Sequence, residues 1–436
     1  MFSAIARVFQ SPDLRMKILF TLGIIVIYRI GAFIPAPGVD YAGVQRCLAL
    51  GNAEGGLYNF VNMFSGGAML QLSVFALGVM PYITAAIIVQ LLRVVIPRFE
   101  ALQREGAQGQ AKLTQYTRYL TLALALMNAT VLVTMARTGT LLGCEGEWII
   151  PDQSLFIIVL MILTLVTGVA MIMWLGEQIT ERGVGNGMSI LIFVAIAAGF
   201  PGSMQEIWAV QGWRVFTVVC VIGLLLIAAI VFVEQSQRRV PVQYAKKQIG
   251  RRTVGGSSTY IPIKVNMAGV IPVIFSSSVL MLPSVWMQFN QPEAGEDVGP
   301  LYEFVAQYFG SGDHPLYMAA FFLATVGFTY FYVSITFNPN EVAENMRKYG
   351  GFIPGVRAGK ATESYLGYVI SRITFPGALY LGFIALIPLI AFVLIEADQN
   401  FPFGGTSILI MVGVGLNTVK QINAQLEQHN YEGLLR

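Results

Sequence analysis

NMFSGGAMLQLSVFALGVMPYITAAIIVQLL (residues 62–92) joins a broken apolar segment to an almost continuous one. The later part, 71–92, is long enough to cross the hydrocarbon core of a bilayer as a helix, which takes about 20 apolar residues. The earlier part, 62–70, holds paired glycines and a serine, so it is too short to cross and too apolar for a water-exposed loop. The stretch predicts a membrane protein with an irregular segment beside one of its spans.

The whole chain has the composition of an integral membrane protein. Of its 436 residues, 55% are hydrophobic and 12% are charged, and the mean hydropathy is +0.65. A soluble protein would need more polar surface. Apolar runs of about 20 residues predict an all-α fold with ten transmembrane helices. The predicted spans are 18–37, 71–92, 118–137, 154–175, 186–200, 215–234, 268–288, 316–337, 373–395 and 405–421.

Positive charge marks alternate connections between these spans. Nearly all of the 27 Lys and Arg lie in or beside the termini and four connections. These connections are 93–117, 176–185, 235–267 and 338–372. The exceptions are Arg29, Arg46, Arg137 and Arg214. Because basic residues near span ends stay on the cytoplasmic side, we expect both termini in the cytoplasm and an N-terminal segment that is retained, not cleaved.

The span count predicts two inverted halves. If ten spans divide into five and five, the second half enters the membrane from the opposite side, which is an inverted repeat. The Gly- and Pro-containing stretch GFPGSMQE at 199–206 marks the division. We therefore expect an N-terminal half at 1–200 and a C-terminal half at 201–436.

Two long cytoplasmic connections are dense in basic residues, at 235–264 and 337–364. The first is expected to begin as a helix and then to form a hairpin with Arg251 and Arg252 at its tip. Membrane topology alone collects positive charge in such loops. Their length favours a second interpretation, in which they dock a large acidic partner such as ribosomal RNA or an acidic protein surface.

The chain lacks the residue patterns of membrane enzymes and metal proteins. Its two histidines, His314 and His429, cannot assemble a Ser–His pair at depth, and there is no HExxH motif. The three cysteines have no metal-ligand spacing. Cys47 and Cys144 are both expected on the outer side of the membrane, where a disulfide between them is one of the alternatives. GVGNG at 183–187 predicts a tight turn. No catalysis, metal or cofactor is expected.

Arg29 is the one charge predicted deep inside a span. We expect it to face the bundle interior and bond to carbonyl groups. Transporters that use ion gradients hold several ionisable groups near the midplane. The nearly uncharged interior therefore disfavours coupling to protons or sodium.

The residues preceding the second span suggest a movable stopper. We expect 58–70 to re-enter from the outside as a short helix filling a cavity, with Met63, Phe64 and Met69 as an adaptable apolar surface. Gly66 and Gly67 would act as a hinge. The alternative is a helix lying on the outer headgroups.

Val79 and Ile83 lie four residues apart and share a helix face. A ring of branched apolar side chains around a narrow pore excludes ions by dewetting and still yields to a bulky chain. The alternative for such a pair is ordinary packing.

Several motifs, in order along the chain, resemble the SecY family, the central subunits of bacterial Sec protein-conducting channels. They are YRIGAFIPAPG (28–38), NMFSGGAM (62–69), FALGVMPYITAAIIVQLL (75–92), QYTRY (115–119), MWLGEQITERGVGNGMSI (173–190), KVNMAGVIPVIF (264–275), FNPNEVAENMRKYGGFIPGVRAG (337–359) and FGGTSILI (403–410).

The resemblance implies an hourglass channel that passes unfolded polypeptides or releases them sideways into lipid. It implies a pore ring of Val79, Ile83, Ile192, Ile274 and Ile410. It implies a plug that includes Phe60, Met63, Phe64, Gly66, Gly67 and Met69. Weaker candidates for a lateral gate are Ala85, Gln90, Ser276, Ser277 and Thr406. A basic docking surface would hold Lys246, Lys247, Arg251, Arg252 and Arg357.

The resemblance also implies partners and a location. The partners are the small membrane subunits SecE and SecG, the ATPase SecA, the ribosome through its RNA, SecDF, YidC, signal-bearing polypeptides and the lipid bilayer. The location is the bacterial cytoplasmic membrane. An inverted-repeat transporter for a small solute is the second function considered, and an intramembrane protease is the third.

Overall fold

A computed structural model describes most of the chain, which is predominantly helical. It describes residues 11–49, 65–69, 71–138, 150–152, 154–244, 247–249, 252–254, 258–289, 299–309, 314–395 and 405–434. The helices are α1 (Pro12–Phe33), α2 (Tyr41–Ala49), α3 (Met80–Val95), α4 (Pro97–Arg104), α5 (Ala107–Thr138), α6 (Leu155–Arg182), α7 (Gly187–Ala209), α8 (Gly212–Gln235), α9 (Ile271–Phe289), α10 (Pro300–Phe309), α11 (Pro315–Thr336), α12 (Pro339–Lys348), α13 (Lys360–Ile395) and α14 (Gly405–Leu434). The strands are β1 (Gln237–Tyr244), β2 (Lys247–Ile249), β3 (Arg252–Val254), β4 (Ser258–Lys264) and β5 (Gly351–Phe352).

The chain forms two compact units. Unit 1 comprises Met1–Phe216 and Val414–Arg436, and unit 2 comprises Thr217–Gly413. This division follows contacts within each unit. The predicted halves, 1–200 and 201–436, stay a prediction.

Each of the ten predicted spans overlaps a helix. Within the described ranges, seven helical stretches are each long and apolar enough to cross a membrane alone, and an eighth counts if α3 and α4 form one broken span with a bend of 100°. The chain is therefore a multi-pass membrane protein. The span total of ten stays a prediction.

The start of the second predicted span is not helical. Helix α3 begins at Met80, and the residues described from 71 to 79 form turns. The backbone explains the difference, because Leu72 and Gly78 have positive φ angles of 47° and 55°, outside the α-helical region. Pro81 then lies in the first turn of α3, where its missing N–H is harmless.

The stretch 199–206, which marks the predicted division between the halves, is helical. Those residues continue α7, with Pro201 inside the helix, and the helical path is interrupted instead at Gly212. Gly212 has φ 78° and ψ 176°, a conformation available chiefly to glycine.

The core of unit 1 packs the turns before α3 against α5 and α6. Its buried residues include Leu72 and Ala76 from the turns, Ala125 and Ala129 from α5, and Leu165 from α6. The alanines and Gly168 let backbones approach closely, as small residues do in membrane helix packing. A Cβ atom built on Gly168 would clash with the carbonyl oxygen of Val74.

Unit 2 contains a small antiparallel sheet in the order β4-β1-β5. The expectation that this connection begins as a helix is wrong beyond Gln235. Alternation explains the strand, since Val240 and Val242 are buried while Arg239 and Pro241 are exposed. The buried face joins a cluster with Ile263, Met346, Ile353, Leu366 and Val369.

The predicted hairpin in this connection is confirmed. Strands β2 and β3 pair antiparallel, with Ile249 opposite Arg252 at the closed end. Arg252 therefore lies beside the tip. Arg251 lies outside the described residues.

We predict that Gly168→Ala destabilises unit 1 by about 1–3 kcal/mol, because overpacking forces backbones apart. Gly23→Ala in α1 is the matched control, since a Cβ there meets no atom within 4 Å. Thermal unfolding of the purified protein in detergent measures both. Equal midpoints for the two variants would contradict the close approach of α6 to Val74.

Candidate functional site

The site is built around the residues between the first and second spans. We call residues 65–69 and 71–79 the turn segment. Ser65 is helical, and the rest form turns or a single bridge before α3. Gly66 and Gly67 have φ angles of 67° and 88°. Two consecutive left-handed residues turn the chain sharply, and glycine adopts this conformation without strain.

The end of α1 provides backbone partners for the turn segment. The amide of Ala36 donates to the carbonyl of Leu72 at 2.9 Å, and the amide of Val74 donates to the carbonyl of Ile34 at 2.9 Å. These bonds flank an antiparallel bridge between Pro35 and Ser73. Irregular backbone inside a membrane protein needs such partners, because lipid supplies none.

Side chains complete the bonding of the first turn. The Ser65 hydroxyl oxygen accepts a hydrogen bond from the amide of Met69 at 3.1 Å. The Arg29 Nη1 atom donates to the carbonyl of Gly66 at 3.1 Å. This bond confirms the expectation that Arg29 bonds to a carbonyl group.

The turn segment also packs tightly within unit 1. Phe75 stacks on Tyr28 with ring centroids 5.8 Å apart. A Cβ atom on Gly31 would clash with the Phe75 ring, so glycine is required for this contact. A Cβ atom on Gly66 would lie 3.1 Å from the Cα atom of Ala195 in α7.

The predicted plug residues divide into two groups. Gly66, Gly67 and Met69 belong to the turn segment, and Met69 is buried. Phe60, Met63 and Phe64 lie outside the described residues. A re-entrant plug helix stays a prediction.

The predicted ring residues belong to different units. In unit 1, Val79 precedes α3 and is buried, and its carbonyl accepts the Ile83 amide at 3.1 Å. Ile192 of α7 is also buried. In unit 2, Ile274 of α9 and Ile410 of α14 are buried. That all five converge on one ring stays a prediction.

The lateral gate candidates lie on three helices. Ala85 is buried and Gln90 half-buried in α3, and Thr406 lies in the first turn of α14. The Ser276 hydroxyl donates to the carbonyl of Pro272, and the Ser277 hydroxyl donates to the carbonyl of Ile274, each at 2.9 Å. Both hydroxyls are thus bonded to the backbone of their own helix.

The docking candidates lie in the two basic connections of unit 2. Arg357 is exposed in the turn between β5 and α13, and the Thr362 hydroxyl donates to its carbonyl at 3.0 Å. Lys247 begins β2, and Arg252 begins β3. Lys246 and Arg251 lie outside the described residues.

Two polar links were not singled out from the sequence. Arg118 of α5 makes a bidentate pair with Glu177 of α6, with both N–O distances at 2.8 Å. In unit 2, the Asn266 amide group donates to the Glu234 carboxylate at 2.6 Å and to the carbonyl of Gly269 at 3.2 Å. The pairing of Arg118 with Glu177 brings together two residues 59 positions apart in sequence, in QYTRY and GEQITERG, and local patterns do not predict such a contact.

Unit 1 also contains a polar cavity of about 400 Å³ between the start of α7 and α14. Amide and hydroxyl side chains line most of it, with one ammonium group. The lining residues are Asn186, Ser189, Val414, Asn417, Thr418, Lys420, Gln421 and Ala424.

The turn that precedes α7 confirms the expectation for GVGNG, because Gly185 has a φ of 85°. Among the residues the structure describes, no three His, Cys, Asp or Glu side chains group as metal ligands.

The fold is that of a helical protein-conducting channel. It is similar to the solved structure titled "The structure of a protein conducting channel", with a TM-score of 0.61 and 19% identity, covering 94% of this chain and 92% of that one. It is also similar to a structure titled "The plug domain of the SecY protein stablizes the closed state of the translocation channel and maintains a membrane seal". That likeness has a TM-score of 0.58 and 21% identity, with coverage of 94% and 92%.

Sequence comparison identifies the family. A family model described as SecY matches residues 73–419. The protein translocase subunit SecY of Micrococcus luteus is 66% identical over 437 residues, covering 100% of both chains. The chain belongs to the SecY family.

We predict that Gly66→Ala loosens the turn segment more than Gly67→Ala. Both residues have positive φ, so alanine is strained at either one by about 1–2 kcal/mol. Only the Gly66 substitution also drives a methyl group towards Ala195 and Arg29, since nothing lies within 4 Å of a Cβ on Gly67. Hydrogen exchange of peptides covering 65–79 should be faster in Gly66→Ala. Matching rates in the two variants would refute the steric part of the argument.

Proposed function

We propose that this chain is the pore-forming subunit of a protein translocase. It passes unfolded, signal-bearing polypeptides across the membrane and releases transmembrane segments sideways into lipid. The observation that carries the proposal is the turn segment, an irregular backbone buried beside α3 and bonded to α1. In a SecY family member, this is the segment expected to close a channel.

The pore is proposed to close by excluding water. Val79, Ile83, Ile192, Ile274 and Ile410 are branched and apolar, and a narrow ring of such groups dewets and blocks ions. No covalent or charged contact has to break when an extended polypeptide pushes them apart. A wide range of sequences can therefore pass through one ring.

The plug is proposed to seal the outer side of that ring. The left-handed turn at Gly66 and Gly67 gives the preceding residues a defined point of rotation. Met63, Phe64 and Met69 would supply soft contacts that adapt to the cavity. The likeness to a structure whose title assigns a seal to the plug of that protein supports this role.

Sideways release is proposed to occur beside α3 and α9. Ala85 and Gln90 on α3, and Ser276 and Ser277 on α9, are small or polar residues of the kind found where membrane helices meet. The serine hydroxyls already have hydrogen-bond partners in the backbone of their own helix. An arriving apolar signal segment would replace the contacts that separate.

The driving energy is proposed to come from outside the chain. SecA or the ribosome would dock on the basic connections that carry Lys246, Lys247, Arg251, Arg252 and Arg357, since acidic surfaces and RNA attract clustered positive charge. SecE and SecG would complete the membrane complex, and SecDF and YidC would assist it. Both termini would lie in the cytoplasm of a bacterium, and the channel itself would catalyse no reaction.

A secondary transporter for a small solute is the alternative function. Such a protein needs a charged or polar pocket near the midplane to bind its coupling ion. In the described part of α1, the arginine at depth is already bonded to Gly66. This arrangement favours the channel.

Reconstitution tests the function directly. We expect the chain, with SecE and SecG in proteoliposomes, to export a signal-bearing polypeptide when SecA and ATP are added. A photo-crosslinker at Ile83 or Ile274 should capture the moving chain, whereas one at Leu224, which is 68% exposed, should capture lipid. Capture only at Leu224, with the complex folded and its partners bound, would overturn the proposal.

We predict that Arg357→Glu lowers SecA-driven export at least about tenfold, because reversing a docking charge introduces repulsion across the interface. Lys360→Glu is the matched control, since Lys360 is exposed three residues further along, at the start of α13. Flotation of SecA with proteoliposomes measures docking in parallel with export. Equal losses in both variants would indicate a general effect of charge, and an unchanged Arg357→Glu would remove this residue from the docking surface.

A further inference from the structure

Arg29 is a charged side chain within an apolar helix, where a charge is unfavourable in free energy. It lies four residues before the end of α1, a 22-residue helix long and apolar enough to span a membrane. A charge in such a span needs a partner, because hydrocarbon solvates it poorly. The guanidinium finds two partners in unit 1, the carbonyl of Gly66 at 3.1 Å and the ring of Phe33, whose centroid lies 5.1 Å from Cζ.

The acceptor lies at the point where the turn segment changes direction. The left-handed dihedrals of Gly66 and Gly67 turn the chain out of the helical conformation that Ser65 still has. Among the described backbone hydrogen bonds, the neighbouring carbonyls of Ser65 and Ala68 accept from amides, and Gly66 accepts from Arg29. A buried carbonyl without a donor destabilises a structure, and a bond from a charged donor is stronger than a neutral one.

We propose that Arg29 is a latch that holds the turn segment closed. Its side chain is anchored in α1, whereas Gly66 belongs to the segment that would move. When the segment leaves, both the guanidinium and the Gly66 carbonyl lose a partner in a poorly solvating environment. This loss favours return to the closed arrangement, and it makes Arg29 a positioning residue, not one that contacts the substrate.

The local geometry supports a latch over general packing. Gly66 approaches both Ala195 and Arg29, since a Cβ on Gly66 would lie 3.1 Å from the Ala195 Cα and 3.2 Å from Arg29 Nη1. Gly66 thus lies against both α7 and the guanidinium, where a side chain would not fit. Phe33 is exposed over 56% of its surface, so its ring serves mainly to orient the guanidinium.

The latch is tested by hydrogen exchange and by leak. We expect Arg29→Met to raise the opening of the turn segment about tenfold, measured as faster exchange in peptides covering 65–79, with α6 peptides unchanged. Arg29→Lys keeps the charge and should fall between Arg29→Met and the unaltered protein. Arg137→Gln, at the exposed end of α5, is the matched control. Unchanged exchange at 65–79 in Arg29→Met would overturn the latch.

Two further measurements keep the result interpretable. If Arg29 variants fail to accumulate, Phe33→Leu removes only the orienting ring and should speed exchange about two- to fivefold. No change in that variant, with Arg29 intact, would then count against the latch. We also expect Arg29→Met to raise the ion leak of resting proteoliposomes. This expectation rests on the proposed function. Faster exchange without leak, together with no SecA-driven export by the unaltered protein, would refute the channel and leave the latch standing.

Discussion

The structure depends on one constraint, that backbone polar groups inside a membrane protein must find partners within the protein. Helices satisfy it locally, but the turn segment cannot, because its left-handed residues interrupt the helical ladder. The end of α1 provides the missing partners through Ala36 and Ile34, and Arg29 reaches the carbonyl of Gly66. One helix that is long and apolar enough to span a membrane therefore also supports the irregular backbone beside it.

Small residues make this support possible. Gly31 admits the Phe75 ring, Gly168 admits the Val74 carbonyl, and alanines of α5 complete the surrounding core. In a membrane, helix packing is driven by close contact and interhelical bonding, since lipid is as apolar as the side chains. The same closeness that holds the segment in place makes substitutions at these positions costly, whereas a Cβ atom on Gly67 would meet no atom within 4 Å.

The basic connections of unit 2 are held in place by a small β-sheet. They lie in a sheet and turns where water can solvate charge, and their buried face uses Val240, Val242 and Ile263 to hold the strands. Among the described side chains, Arg238 and Arg239 are exposed on β1, which this packing supports. The docking role proposed for these connections would benefit from such support, because charges held at fixed positions favour recognition of a large acidic partner.

The sequence alone determined the class of protein, the approximate spans, the tight turn at 183–187 and the hairpin beside Arg252, since these follow from local composition and short-range dihedral preferences. The structural role of Arg29 also followed, because a lone charge in an apolar run requires an internal partner. Which carbonyl it meets, where α3 begins, and how Arg118 finds Glu177 were decided only by the tertiary structure. Each depends on segments distant in sequence approaching within a few ångströms, and no local pattern encodes that approach.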